Sequence, residues 1–221
     1  MSIAAFIFDL DGIITDSAEY HFLAWKELAD ELGIEIDREF NEQLKGVDRM
    51  TSLERILNHG GMADKFTPEK KIEIATRKND HYKTLIQQVT PKDILPGIQT
   101  LLDDLNAAGI PMALASASKN APFIIERLGL QDYFANIVDP ATLKANKPDP
   151  EIFVRGAEML GVEAAQCVGV EDAEAGVESI QAAGMFAVGV GDANALAKAD
   201  LLLSDTAQLS LSEIVKAFED K

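Results

Sequence analysis

The sequence predicts an α/β protein: a doubly wound parallel sheet, interrupted after its first strand by an inserted α-helical cap. Three observations lead there. Short apolar runs recur without polar alternation, as strands buried on both faces require. Amphipathic stretches at helical spacing separate them. Between residues 15 and 92 that rhythm stops, and apolar residues such as Phe22, Trp25, Leu28, Ala29 and Leu32 recur at helical intervals only.

The first strand is expected at 3–8, an apolar run that meets Asp9 directly. Four cap helices follow, at 18–32, 37–44, 51–58 and 68–89, the last two separated by Gly60-Gly61. The strand runs then resume at 111–115, 135–138, 167–170 and 186–190, with helical segments at 97–108, 121–128, 150–160 and 173–183. The core therefore spans 1–14 and 93–221, and the cap spans 15–92. A short run at 201–203 and a final helix, capped as a box by Ser210 and Glu213, complete the chain.

A chain of 221 residues with 47% hydrophobic composition buries one sizeable core and a small second domain, since single cores stop growing near ~250 residues. Its formal charge of −17 and pI of about 4.5 repel a nucleic-acid backbone and an anionic membrane, so neither is expected as a partner. A phosphate substrate then needs a local basic site. The single Cys167 has no partner for an internal disulfide, and its apolar surroundings read as a buried thiol in a reduced compartment. The run at 3–8 is too short, and lacks the basic lead, for a signal peptide. No stretch approaches the roughly 18 apolar residues of a membrane span. A cytoplasmic monomer is expected.

Ligands of open parallel sheets sit beyond the carboxyl ends of the strands, which points to Asp9, Ser116, Asp139 and Glu171-Asp172. Asp9 and Asp11 flank Leu10 and can aim two carboxylates at one centre. An ionised carboxylate attacks phosphorus without a base, and a second carboxyl group exchanges a proton with a hydroxyl. In isolation the same pair is a solvated strand end. Phosphoryl transfer spreads negative charge over three equatorial oxygens, so cations and donors must accompany such acids. Ser116 and the following Ala117-Ser118-Lys119-Asn120 offer hydroxyls, backbone N–H groups and a helix start, or else a plain helix cap. Lys147, stiffened by Pro148 and Pro150, is a positioned point charge or a solvated lysine. Glu171-Asp172 are hard oxygen ligands suited to Mg²⁺, or an acidic helix N-terminus.

Taken in order, acid pair, hydroxyl, lysine and acid pair resemble the haloacid dehalogenase superfamily, through Asp9-Leu10-Asp11-Gly12, Ser116, Lys147-Pro148 and Glu171-Asp172. The resemblance covers nearly the whole chain. It implies a Rossmann-like core with Asp9 as nucleophile and Asp11 as general acid/base. It also implies a Mg²⁺ site built from Asp9, the Asp11 backbone carbonyl, Glu171 and Asp172.

Within that superfamily the cap resembles the β-phosphoglucomutases. The matching stretches are 15–22 with Trp25, then Leu44-Lys45-Gly46-Val47-Asp48-Arg49, Arg77-Lys78-Asn79-Asp80, and Ala115 to Asn120 in the core. Arg49 offers a planar fork for a phosphate that is not reacting, and Gly46 lets the Lys45-Gly46-Val47 backbone approach a sugar. His21 and Trp25 share a helical face, either looking onto Asp11 on closure or packing the cap, and Lys78 steadies His21 or a sugar hydroxyl. Substrate contacts are further implied for Ser17, Ser52, Ser116, Ala117, Ser118, Lys119, Asn120 and Lys147.

The implied reaction interconverts β-D-glucose 1-phosphate and glucose 6-phosphate through phosphorylated Asp9 and β-glucose 1,6-bisphosphate, with cap closure excluding water. Two positions depart from the family pattern. Ser17 replaces a threonine and keeps its hydroxyl. Asp48 replaces a small hydroxyl residue, and its carboxylate either repels the distal phosphate or pairs with Arg49. The alternatives are a sugar-phosphate phosphatase using the same loops and a non-catalytic phospho-accepting switch, against which the helical insertion argues.

Overall fold

The computed structural model describes residues 2–221. The chain opens with β1 (Ala5–Phe8) and then forms four helices, α1 (Ala18–Glu31), α2 (Arg38–Glu42), α3 (Arg49–His59) and α4 (Pro68–Leu85). The α/β rhythm resumes with α5 (Ile98–Ala107), β2 (Met112–Leu114), α6 (Ala121–Leu128), β3 (Asn136–Ile137) and α7 (Glu151–Leu160). It closes with β4 (Cys167–Glu171), α8 (Glu174–Ala182), β5 (Phe186–Val190), β6 (Leu201–Leu203) and α9 (Leu211–Glu219).

The six strands lie in the order β3-β2-β1-β4-β5-β6, and every neighbouring pair is parallel. The apolar runs lack alternation because both faces of the sheet are covered. β1 is central, with Phe8 opposite Leu114 on one side and Val170 on the other, and all four of its residues are fully buried. Ile7 packs with Ala113, Phe153 of α7 and Ile180 of α8. Phe6 and Phe8 project to the opposite face, stacked 5.9 Å apart, and Phe8 meets Phe134 edge-on at 5.7 Å. The chain order reverses between β1 and β4, where a doubly wound sheet opens its crevice beyond the strand ends.

The chain divides into two compact units, residues up to Asp16 with Val89–Lys221, and Ser17–Gln88. The two connecting segments belong to the first unit because they bond to each other. Thr15 Oγ1 donates to the Asp93 carbonyl at 2.7 Å, and the Leu95 N–H donates to the Ile14 carbonyl at 3.0 Å. The helical unit has its own core, in which Trp25 and Leu28 of α1 meet Leu53 and Ile56 of α3 and Ile74 of α4.

Several boundaries differ from the sequence expectation for local reasons. α3 begins at Arg49, two residues before the expected start, because Asp48 is its N-cap. α4 stops at Leu85 and continues as a single 3₁₀ turn, Ile86–Gln88, ahead of a turn in which Thr90 and Asp93 cap each other. The run at 201–203 is a sixth strand at the sheet edge. The capping box at the last helix does not form: Ser210 makes no side-chain cap, and its hydroxyl lies 2.9 Å from that of Ser212. Among the described residues no helix is long and apolar enough to cross a membrane. Cys167 is buried, its thiol bonded to the Glu163 carbonyl at 3.4 Å, and burial pushes its pKa up to about 11.

Candidate active site

The end of β1 delivers Asp9, which is 4% exposed. Leu10 then starts a tight turn, with the Ile14 N–H donating to the Leu10 carbonyl at 2.9 Å and the Gly12 N–H to the Thr15 carbonyl at 2.8 Å. The turn points the Asp11 N–H at Asp9 Oδ2, 2.9 Å away. Gly12 permits it with a φ of 84°, and a Cβ there would stand 2.2 Å from Asp172 Oδ2. Gly12 thus keeps open the place of an acid from a different strand. A glycine directly behind the second acid was its only signal in the sequence.

Lys147 is the centre of charge. Its side chain is 1% exposed, and its ammonium donates to Asp9 Oδ1 at 2.6 Å and to Glu171 Oε1 at 3.0 Å. Burial opposes the charged form, but Asp9 and Glu171 outweigh it and raise the lysine pKa. Glu171 is pushed up to about 7, by burial first and the Asp9 charge second, against the pull of Lys147. The segment carrying the lysine is anchored on both sides: Glu151 accepts the Lys144 and Ala145 N–H groups at 2.7 and 3.1 Å, and Ser179 Oγ donates to the Asp149 carbonyl at 2.7 Å.

Asp9, Glu171 and Asp172 offer carboxylate oxygens that all lie within 4.8 Å of one another. Three carboxylates, when all are ionised, exceed the one ammonium by two negative charges in a mostly buried place. Hard oxygen donors with that surplus fit a hard divalent cation. Ser116 leaves β2, the strand next to β1, and is 1% exposed, its Oγ accepting the Ser118 N–H at 3.1 Å. Ser118 Oγ in turn accepts the Asn120 N–H at 3.3 Å, so half-buried Ala117 and Asn120 lead into α6 in a fixed loop. Lys119 is exposed. Asp139 is exposed and caps the 3₁₀ turn Pro140–Thr142 through the Ala141 N–H at 2.9 Å, a structural role.

In the helical unit, Lys78 is 4% exposed and its Nζ donates to His21 Nδ1 at 2.8 Å, which places the ring proton on Nε2. His21 stacks on Tyr82 with centroids 3.9 Å apart, and the Lys78 ammonium sits 4.5 Å over the Trp25 ring and 4.9 Å over that of Tyr82. Burial first, then the charges of Lys78 and Arg49, hold the His21 pKa well below its usual value. Trp25 therefore serves the cap core and the lysine cage together.

Arg49 opens α3, its pKa lowered by burial against the charges of Asp80 and Asp48. Asp48 is the N-cap of α3. Its Oδ1 accepts the Met50 and Thr51 N–H groups at 2.9 and 3.3 Å, and its Oδ2 accepts the Thr51 hydroxyl. Gly46 turns the chain before this cap with a φ of 69°, beside half-buried Val47. Lys45 pairs with Glu42 at 2.9 Å, buried Ser52 donates to the Asp48 carbonyl at 3.0 Å, and Ser17 is fully buried at the start of α1.

The family model for haloacid dehalogenase-like hydrolases matches residues 3–184. The chain is 51% identical over 215 residues to the β-phosphoglucomutase of Bacillus subtilis (strain 168), covering 97% of this chain and 95% of that protein. Hexitol phosphatase A of Escherichia coli (strain K12) is 31% identical over 223 residues, covering 96% of each. A crystal structure of β-phosphoglucomutase from Clostridium difficile matches with a TM-score of 0.96 at 48% identity, covering 99% of this chain and 98% of that one.

Proposed function

This chain belongs to the haloacid dehalogenase-like hydrolase family, and on that premise we propose that it is a Mg²⁺-dependent isomerase, a β-phosphoglucomutase. The observation that carries the reading is the 51% identity to a β-phosphoglucomutase across 97% of the chain, together with a buried Asp9 held by Lys147 and the Asp11 N–H. Those two donors orient the Asp9 carboxylate and stabilise the negative charge that returns to it as the phosphoryl group leaves. Asp9, Glu171 and Asp172, with the Asp11 carbonyl, would hold Mg²⁺, which when bound offsets charge on the phosphate oxygens.

Asp9 carries the phosphoryl group, and the 6-hydroxyl of β-D-glucose 1-phosphate attacks its phosphorus while Asp11 takes the hydroxyl proton. The P–O bond to Asp9 breaks and β-glucose 1,6-bisphosphate forms. When the bisphosphate is reversed, Asp9 attacks the 1-phosphate and Asp11 returns the proton to the leaving O1, giving glucose 6-phosphate. Ser116 and Lys147 serve the reacting phosphate. The helical unit supplies the groups for the rest of the substrate, Arg49 as the planar cation for the other phosphate and His21, buttressed by Lys78, for the sugar.

A sugar-phosphate phosphatase is the second reading, favoured by the 31% identity to hexitol phosphatase A. One assay separates them. With Mg²⁺, β-glucose 1-phosphate and a trace of the bisphosphate, the mutase yields glucose 6-phosphate with little free phosphate, and Asp9→Asn abolishes it. Inorganic phosphate as the main product would replace the mutase by the phosphatase.

A further inference from the structure

We propose that Gly176 is a positioning residue for the cation site, one whose missing side chain is the seat of Glu171; the inference rests on the cation reading of the acidic cluster. Gly176 lies in the first turn of α8, and a Cβ built on it would stand 1.8 Å from Oε1, 2.1 Å from Cδ and 2.2 Å from Cγ of Glu171. Its φ is not positive, so conformational freedom does not call for a glycine here. Helix propensity alone favours alanine. The requirement is therefore for space.

Glu171 cannot yield that space cheaply. It is fully buried, Oε1 accepts from Lys147 at 3.0 Å, and Oε2 accepts the Asp172 and Ala173 N–H groups at 2.9 and 3.4 Å. The clash reaches Cγ as well as the carboxylate, so rotation of the terminal group does not relieve it. A methyl at position 176 drives Glu171 out of this seat. It leaves the cluster with two placed carboxylates, and Lys147 with Asp9 as its remaining partner of the two. Gly176 touches no reacting group and acts entirely through Glu171.

The test is Mn²⁺ binding by titration calorimetry to the wild type, Gly176→Ala, Glu171→Ala and the double variant. Gly176→Ala weakens Mn²⁺ binding at least tenfold. Glu171→Ala weakens it by its own amount, and adding Gly176→Ala to that background changes affinity less than twofold, because a side chain that ends at Cβ has already vacated the space. Equal tenfold losses in both backgrounds, or wild-type affinity in Gly176→Ala, would overturn the proposal. If Gly176→Ala alone does not fold, a folded double variant that binds as Glu171→Ala supports the seat, and an unfolded one overturns it. A wild type that binds no Mn²⁺ removes the cation reading only. The same cycle in melting temperature then decides: a Gly176→Ala loss that vanishes beside Glu171→Ala supports the seat, and one that persists overturns it.

Discussion

Lys147→Met removes the ammonium on which two buried carboxylates converge while preserving most of the side-chain volume. The lysine side chain is 1% exposed, that of Asp9 6% and that of Glu171 0%, so water cannot replace the lost partner without rearrangement. Breaking a buried pair in this way costs about 3–5 kcal/mol. The cost is pH-dependent. Glu171 already stands at about 7 in place of 4.5, a displacement worth about 3 kcal/mol, and it rises further once Lys147 is gone. A carboxyl raised in the folded state contributes stability that is fully present below its unfolded value and lost as pH rises through its folded value. At pH 5.5 Glu171 is protonated with or without Lys147, and the variant suffers mainly from an unpaired Asp9. Above about 7 the wild type ionises Glu171 against Lys147, whereas the variant must retain the proton or bury two bare charges. The deficit then grows by about 1.4 kcal/mol per pH unit. Urea unfolding followed by circular dichroism, in EDTA at pH 5.5 and 8.5, measures it. A deficit that is equal at the two pH values, or below about 1 kcal/mol at pH 8.5, would refute Lys147 as the compensating charge.

Three further outcomes follow from the geometry. Asp48→Asn keeps an N-cap oxygen and Asp48→Ala removes it, so the alanine variant loses about 1 kcal/mol, read by thermal melting; in the asparagine variant the KM for β-glucose 1-phosphate falls about 3-fold as a carboxylate beside Arg49 is neutralised, and an unchanged KM sinks the electrostatic part. His21 is held neutral, so its contribution is present above the unfolded value near 6.5 and lost as pH falls below it. His21→Gln should flatten the acid limb of the stability curve by up to about 1.4 kcal/mol per pH unit, and parallel limbs in urea titrations would contradict a depressed His21. Cys167, buried with its thiol pushed up to about 11, should resist a thiol-specific disulfide reagent at pH 8 in native protein and react fully in urea; rapid native labelling would show an accessible thiolate.

The local pattern of the chain determined the α/β architecture and the all-helical insertion, while the acids and the lysine of the core drew their roles from the order in which they resemble the superfamily's loops. Apolar runs such as 3–8 and 186–190 carry no alternation and have one physical reading, a strand covered on both faces. Asp9, Glu171 and Asp172 were legible because each stands where such a run ends. Helix termini were less legible, since a cap is decided by which oxygen reaches which N–H: Asp48 won the start of α3, and Ser210 did not cap α9.

Only the tertiary structure decided that Lys147 lies on Asp9, 138 positions away in sequence, because that pairing depends on the crossover that sets β1 beside β4. It alone decided that Lys78 cages against Trp25 and Tyr82 while bonding His21. It alone showed what Gly12 and Gly176 leave room for. Sequence patterns record what a residue contributes to its own element, whereas the space a missing side chain leaves open is defined by neighbours that folding brings from elsewhere in the chain.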